Sequence, residues 1–265
     1  MSIELRLRIA GVGFRVELPR GAVAENLASA WSQFGSRDEA DTLLEVEIVG
    51  SDVDGPLLMP EAERLPDGSL RIWGRGFEAL AAPDRRRVLL RQTDGRFPID
   101  SVLKMLLADR LAARGGLLIH SVAVAVDGRA GCFIGNSGAG KSTLGNLCAA
   151  NRVARLSDEL VAVAPEGKGF AAFGTPWNVG TPAQATLALV GSLAWGDKSF
   201  VEPAPPVDLL RLLVPNTVLP DPTPEGRGRL FRAASALLAH VPVVRLTFAR
   251  DPGAAAAVRA ALAAV

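Results

Sequence analysis

Hydrophobic and polar residues alternate through most of the first hundred positions. The stretch IELRLRIAGVGFRVEL alternates on both sides of Gly11 and Gly13, which predicts a β-hairpin. A helical pattern follows in AVAENLASAWSQF, and further strands are predicted at LLEVEIVG, SLRIWG and RRRVLLRQ. We therefore expect residues 1–95 to form a small β-rich α+β module, which carries no recognisable chemical motif.

The pattern changes at Phe97-Pro98, where apolar residues begin to recur every three or four positions. The stretch IDSVLKMLLADRLAARGG predicts a helix that ends at Gly115-Gly116. The runs LLIHSVAVAV and RAGCFIG then predict two neighbouring strands joined by a tight turn at Asp127-Gly128. KSTLGNLCAANR predicts a helix, and VARLSDELVAVAP predicts a strand, a polar break and a second strand.

The C-terminal part of the chain gives weaker patterns. RLFRAASALLAH and GAAAAVRAALAAV predict helices, VVRLTFA predicts a strand, and the proline-rich residues 202–224 are expected to be mostly loop. Strands and helices alternate from residue 96 onward, so residues 96–265 are expected to form a second domain of the α/β class.

Composition narrows the class of protein. The 265 residues are 49% hydrophobic and 22% charged, as in ordinary globular proteins, and the net charge of +1 favours neither nucleic acid nor a membrane surface as a partner. Acidic side chains outnumber basic ones over residues 1–100, and basic ones predominate afterwards. Cys132 and Cys148 lie in apolar stretches and are interpreted as buried thiols. With no signal peptide and no membrane-length apolar run, we expect a cytoplasmic protein.

Candidate chemistry begins with a glycine-rich loop between a predicted strand and a predicted helix. It fits the phosphate-loop pattern G-x-x-x-x-G-K-[ST], whose backbone N–H groups surround phosphate oxygens while the helix N-terminus adds its dipole. Lys141 can reach the β- and γ-phosphates of a nucleotide, and the Ser142 hydroxyl can bind Mg²⁺. The predicted nucleotide-binding residues are Gly135, Asn136, Ser137, Gly138, Ala139, Gly140, Lys141, Ser142 and Thr143.

Two carboxylates follow the loop helix in the stretch RLSDEL. One helix and one short strand separate Lys141 from Asp158 and Glu159, so the carboxylates are expected to lie beside the loop and to bind Mg²⁺ with Ser142. The alternative is a polar turn between two strands. His120 interrupts an apolar strand next to the loop strand, and either a core role or a catalytic role fits it. His240 is interpreted as structural.

The order IHSVAV, FIGNSGAGKSTL and RLSDE resembles the catalytic core of the HPr kinase/phosphorylase family, whose fold is shared with phosphoenolpyruvate carboxykinase. The resemblance covers roughly residues 97–180. It implies that His120 is the active-site histidine, Lys141 binds phosphate, and Asp158 activates the acceptor hydroxyl and helps to hold Mg²⁺, with Glu159 beside it. The chain departs from the bifunctional enzymes, which carry Asp-Asp at 158–159, and it looks more like divergent relatives that modify ribosomally made precursor peptides.

The resemblance therefore implies a kinase that uses ATP and Mg²⁺ to phosphorylate a serine of a protein or peptide, with a homo-oligomer compatible with it. An NTPase that drives a conformational switch, or a nucleotide-binding module without transfer activity, are the alternatives. Arg227, Arg229 and Arg232 are candidates for contact with the transferred phosphate, and Trp177 in FGTPWNVG either lines the acceptor pocket or anchors a loop.

Overall fold

The computed structural model describes residues 2–50 and 59–265, which fold into a mixed α/β protein with two sheets. Two compact units are present: Met1–Arg110 with Leu219–Arg227, and Leu111–Val218 with Gly228–Val265. The sequence places a boundary at residues 95/96, and the helix that begins at Arg96 runs across the division between the units. In the described part of the chain, no helix has the length and apolarity to cross a membrane.

The first unit is built on a seven-stranded sheet with the order β1-β2-β3-β7-β6-β5-β4. β1 and β2 form the predicted hairpin, and its turn residues Ala10 and Gly11 both have positive φ, as a two-residue type I′ turn requires. The elements of this unit are β1 Ser2–Ile9, β2 Val12–Pro19, α1 Ala22–Ala30, β3 Thr42–Gly50, β4 Glu61–Arg64, β5 Leu70–Gly74, β6 Phe77–Ala81 and β7 Arg87–Thr93, with α2 Arg96–Ala113 following. The sequence patterns predicted all of these except β4 and β6.

Alternation also explains the core of this unit. Leu7, Phe14 and Val16 occupy one face of β1 and β2 and are buried, whereas the charged residues between them face the other way. α2 begins two residues before the expected start at Pro98, which is tolerated because a proline in the first turn sacrifices no intrahelical hydrogen bond.

The second unit contains an eight-stranded sheet. β8, β9, β13, β12 and β11 are hydrogen-bonded to one another in a closed circuit, because β11 pairs with β8 again. The elements are β8 Leu117–Val126, β9 Arg129–Ile134, α3 Lys141–Ala150, β10 Ala154–Ser157, β11 Leu160–Glu166, β12 Gly169–Phe173, β13 Gln184–Trp195, β14 Phe200–Pro203, α4 Pro206–Leu213, α5 Pro224–His240, β15 Val243–Phe248 and α6 Gly253–Ala263.

The strand register brings distant parts of the sequence to one edge of this sheet. β9, β13 and β15 are parallel neighbours, so the loop after Ile134 lies beside the carboxyl ends of the other two strands, near Trp195 and Phe248. On the other side of β9, Ser121 pairs with Ile134, and His120 pairs with Leu160 of β11. The segment just before Leu160 therefore reaches the same edge.

The proline-rich residues 202–224 are only partly loop, so that expectation was wrong in part. α4 begins at Pro206 inside this stretch and has Pro205 as its N-terminal flanking residue. Proline is well suited to the first helical positions because its φ is already close to the helical value and its missing N–H has no partner there in any helix. β12, β13 and β14 are further elements that the sequence patterns did not identify.

Candidate functional site

The loop after β9 adopts a glycine-dependent conformation. Gly138 and Gly140 have φ of 81° and 99°, in the left-handed region that other residues rarely adopt. A Cβ at Gly135 would lie 2.6 Å from the Cβ of Ala139, so a side chain at that position would push the loop open. α3 begins at Lys141, directly after this turn, and the loop therefore lies at the N-terminal end of a helix as predicted.

Gly140 is also where two aromatic rings approach the loop. A Cβ on this residue would lie 2.6 Å from Cζ2 of Trp195 and 2.8 Å from Cζ of Phe248. The two rings are 4.5 Å apart between centroids, and the indole Nε1 of Trp195 donates a hydrogen bond to the carbonyl of Gly138 at 3.2 Å. The ends of β13 and β15 therefore support the loop from one side.

Lys141 lies at the base of the loop and is 8% exposed. Its ammonium group donates to the backbone carbonyls of Gly135 at 2.7 Å and Asn136 at 3.3 Å. Burial lowers the pKa of Lys141, because the charged form loses hydration that two carbonyl oxygens replace only in part. A phosphate group would be a stronger partner for this ammonium group than the loop carbonyls are, since it carries full negative charge.

Asp158 follows β10 and is 5% exposed. Its Oδ1 accepts a hydrogen bond from the side-chain amide of Asn178 at 2.9 Å, and its Oδ2 lies 3.5 Å from the guanidinium of Arg155. Arg155 is held in turn by Asn146 of α3 at 2.7 Å. The carboxylate therefore has a fixed orientation and a compensating positive charge, without which its burial would be costly.

The segment that carries Asn178 is held against β10 by a tight turn. Trp177 is 2% exposed, which confirms the interpretation that it anchors the loop. Thr175 donates to the carbonyl of Leu160 at 2.6 Å, and Gly180 forms a bridge with Ser157. A Cβ at Gly180 would lie 1.8 Å from the carbonyl oxygen of Thr175, so only glycine fits there.

One cavity of about 380 Å³ brings most of the predicted site residues together. Lys141, Ser142, Asp158 and Glu159 all contribute to its wall, as does His120. Its complete lining consists of His120, Ser137, Gly138, Gly140, Lys141, Ser142, Thr143, Asp158, Glu159, Asn178, Trp195 and Arg250. Gly135, Asn136 and Ala139 belong to the same loop but are not in this lining. They shape the loop instead, since Gly135 leaves room for Ala139 and the carbonyl of Asn136 accepts from Lys141.

His120 of β8 lines the same cavity. Its backbone N–H donates to the carbonyl of Asn216 at 2.6 Å, which fixes the strand end. Its side chain is exposed and lines the cavity, so it is not a core histidine. His240 is remote from this chemistry: its Nδ1 lies 2.8 Å from the carbonyl of Ala236, one turn back on α5, and its ring contacts Phe170 edge to face.

Three cavity residues were not identified from the sequence: Asn178, Trp195 and Arg250. The guanidinium of Arg250 lies 4.7 Å from the centroid of the Trp195 ring, a cation–π arrangement. Arg250 is the arginine that lines this cavity in the described chain. The predicted candidates Arg229 and Arg232 do not line it, and Arg227 belongs to the first unit. The sequence offered one signal for Arg250, namely its position directly after the predicted strand VVRLTFA.

The oxygen atoms in the cavity suit a hard cation. Ser142, Asp158 and Glu159 offer a hydroxyl and two carboxylates, which are ligands that Mg²⁺ prefers. Within residues 2–50 and 59–265, no group of three or more His, Cys, Asp or Glu side chains could hold a metal ion by itself. The residues fit Mg²⁺ bound through one or two carboxylates and the phosphates of a substrate, which is its usual mode.

The two cysteines are buried as expected. Both are free thiols, and burial raises the pKa of Cys132 to about 11 and that of Cys148 to about 12. Thiols of this kind are poor nucleophiles and poor metal ligands, because both roles require the thiolate.

No protein-family model matches the sequence, and no curated protein matches it significantly.

Proposed function

We propose that the protein is a kinase that transfers the γ-phosphate of ATP, with Mg²⁺, to a serine hydroxyl of a protein or peptide. The observation that carries the proposal is the shared cavity: a phosphate loop with Lys141 and Ser142 faces a buried, oriented carboxylate at Asp158. A nucleotide-binding protein needs only the first of these features. A phosphotransferase needs both, because the acceptor hydroxyl has to be oriented and deprotonated as the phosphoryl group arrives.

The two sides of the loop define how the donor would lie. On the acidic side, His120 lies on β8, and Asp158 and Glu159 directly precede β11. On the other side, Trp195 lies at the end of β13, and Arg250 follows β15. β9 pairs with β8 on one side and with β13 on the other. The transferred phosphate has to face the base, so the nucleoside end of ATP would point toward Arg250 and Trp195.

This orientation assigns a role to each cation of the cavity. Lys141 would leave its two loop carbonyls and bind the β- and γ-phosphates. Arg250 would bind a phosphate that stays with the leaving ADP. Its guanidinium already rests on the Trp195 ring, which limits the rotamer entropy lost on binding. Because the Trp195 ring already packs against Phe248 and against the Arg250 guanidinium, we assign it the support of the arginine rather than stacking on a base.

Asp158 would act on the acceptor. The serine hydroxyl gives its proton to the carboxylate while its oxygen forms a bond to the γ-phosphorus, and the bond to the β-bridging oxygen breaks to release ADP. Asn178 and Arg155 hold the carboxylate in place, and Asp158 lines the cavity with lone pairs left over for a proton or a cation. Mg²⁺, when bound by Ser142, Asp158 and Glu159, would neutralise charge that develops on the phosphates.

The arrangement also supports the proposal that the second unit has the HPr kinase and phosphoenolpyruvate carboxykinase type of fold. The histidine strand precedes the loop strand and pairs with it, and the acidic pair directly follows the next strand. A precursor peptide as acceptor, a cytoplasmic location and a homo-oligomer belong to the same proposal. The finding that favours a kinase over an NTPase switch is the buried and doubly held Asp158.

The test is to incubate the full chain with γ-labelled ATP, Mg²⁺ and the products of neighbouring genes. Label on a serine of a peptide or protein supports the kinase. Free labelled phosphate without a labelled acceptor would instead indicate an NTPase switch, and tight ATP binding with neither product would indicate a binding module. A labelled small molecule would keep the reaction but change the class of acceptor.

A further inference from the structure

The first unit contains a second cavity, of about 620 Å³, that shares no lining residue with the cavity around Lys141. Four arginines contribute to its wall: Arg6, Arg15, Arg86 and Arg110. Two acidic residues, Glu39 and Asp41, also line it, so the positive charges outnumber the negative ones. Its volume is within the range of ligand sites in proteins, about 300–1,000 Å³.

Two of the arginines are placed directly opposite one another. Arg6 of β1 and Arg15 of β2 are cross-strand partners, and like charges in that position destabilise a sheet. Glu4 relieves part of the repulsion, at 2.6 Å from Arg6 and 3.8 Å from Arg15, and Glu17 lies 2.9 Å from Arg15. The pair is therefore held in place by the Glu4 and Glu17 carboxylates, and both arginines line the cavity.

Arg110 lacks a full set of partners. One of its Nη atoms donates to the carbonyl of Asp41 at 3.0 Å and lies 3.2 Å from the Thr42 hydroxyl, but no carboxylate in the described chain forms an ion pair with it. Its Nε is buried, and within the described residues it has no hydrogen-bond partner. A buried donor on a charged group is costly to leave unsatisfied, and a bound anion is one of the ordinary explanations for such an atom.

Arg86 adds an exposed positive charge. Its backbone N–H donates to Asp84, whereas its side chain has no ion pair within residues 2–50 and 59–265. Arg86 and Arg110 thus offer guanidinium groups that are not neutralised by a neighbouring carboxylate.

We propose that this cavity binds carboxylates of an acidic peptide segment. A guanidinium presents two parallel donors that match a carboxylate, so Arg86 and Arg110 could each bind one carboxylate of the peptide. Glu39 and Asp41 can accept hydrogen bonds from peptide N–H groups, which the phosphodiester backbone of a nucleic acid lacks. Leu43 and Ala40 provide apolar surface between the charges. This site does not depend on the proposed kinase activity.

The experiment measures the binding of a fluorescein-labelled hexaglutamate peptide to the full chain by fluorescence anisotropy, with a Gly-Ser peptide of equal length for comparison. The test variant is Arg86→Gln with Arg110→Gln. The matched control is Arg71→Gln with Arg91→Gln, which removes the same charge from exposed arginines of the same sheet outside the cavity. We expect saturable binding by the wild-type protein, about tenfold weaker binding by the test variant, and a change of about twofold or less in the control.

Equal weakening in the two double variants would overturn the proposal, since it would show attraction to overall charge. Failure of the wild-type protein to prefer hexaglutamate over the Gly-Ser peptide would also overturn it, as would saturable binding of inorganic phosphate without binding of the peptide. Arg86→Gln alone tests the same idea if the Arg110 substitution lowers the melting temperature, and a loss of about threefold is then expected. Peptide binding with no phosphorylated acceptor would support this site while counting against the kinase.

Discussion

Replacement of Gly140 by alanine tests whether the phosphate loop is held by the aromatic pair behind it. Two effects are expected. Alanine in the left-handed region, here at φ 99°, costs about 1–2 kcal/mol. In addition, the new methyl group would lie 2.6 Å from the Trp195 ring and 2.8 Å from the Phe248 ring, so at least one ring has to move. Overpacking of this kind costs about 1–3 kcal/mol.

Gly138→Ala is the matched control, because the two substitutions differ mainly in the space around the new methyl group. Gly138 also has positive φ, at 81°, but a Cβ there would meet nothing within 4 Å. We expect a loss of about 1 kcal/mol in the free energy of unfolding for Gly138→Ala and about 3 kcal/mol for Gly140→Ala. Urea denaturation followed by circular dichroism measures both values under identical conditions.

The consequence for nucleotide binding can be measured on the same proteins. A displaced Trp195 no longer donates to the Gly138 carbonyl, so the loop amides lose their arrangement. We expect the ATP affinity of Gly140→Ala to fall by about tenfold or more relative to Gly138→Ala, by isothermal titration calorimetry. Equal stabilities of the two variants, within about 0.5 kcal/mol, would refute the idea that ring packing supports the loop.

Three further predictions address other parts of the molecule. Arg250→Gln is expected to weaken ATP and ADP by similar factors of about tenfold in calorimetric titration, whereas a loss confined to ATP would contradict the orientation proposed for the donor. Burial raises the pKa of Asp221, but hydrogen bonds from Thr223 and Arg64 outweigh this effect and lower the pKa to about 2. The ionised carboxylate therefore stabilises the fold at pH values above its ordinary pKa of 3.8. That contribution, about 2 kcal/mol, should disappear as the pH falls toward 2, and the acid-unfolding curve of Asp221→Asn should lack it. The raised pKa values of Cys132 and Cys148 imply that the stability of the fold falls as the pH rises above 9.0, the ordinary pKa of a thiol. Both thiols should react with a disulfide reagent only after unfolding, and rapid reaction of the native protein would contradict their burial.

The parts of the site that were predictable from sequence are those that short-range geometry determines. The phosphate loop is defined by the spacing of Gly135, Gly140 and Lys141 within one strand–turn–helix unit, and the fold contains that unit as β9, the loop and α3. Asp158 and Glu159 were expected beside the loop because one helix and one strand span little distance, and both line the same cavity as Lys141.

The remaining cavity residues depend on pairing between distant strands. Trp195 reaches the loop only because β13 runs parallel to β9, and β13 itself was missed because Gly191 interrupts a long apolar run. That glycine is required by close packing, since a Cβ there would lie 2.5 Å from the carbonyl oxygen of Val244 on β15. Asn178 becomes a partner of Asp158 through a tight turn that periodicity does not register.

The most direct test of the central claim is the separation of ATP binding from γ-phosphate turnover in Asp158→Asn. The substitution keeps the size of the side chain and its contact with Asn178 but removes the base, and Asp208→Asn on the exposed surface of α4 is the charge control. We expect Asp158→Asn to bind ATP within a few-fold of the wild-type protein and to lose transfer to any acceptor, while Asp208→Asn retains both. Undiminished transfer by Asp158→Asn would contradict the assignment of Asp158 as the acceptor base and with it the phosphotransferase site proposed for this cavity.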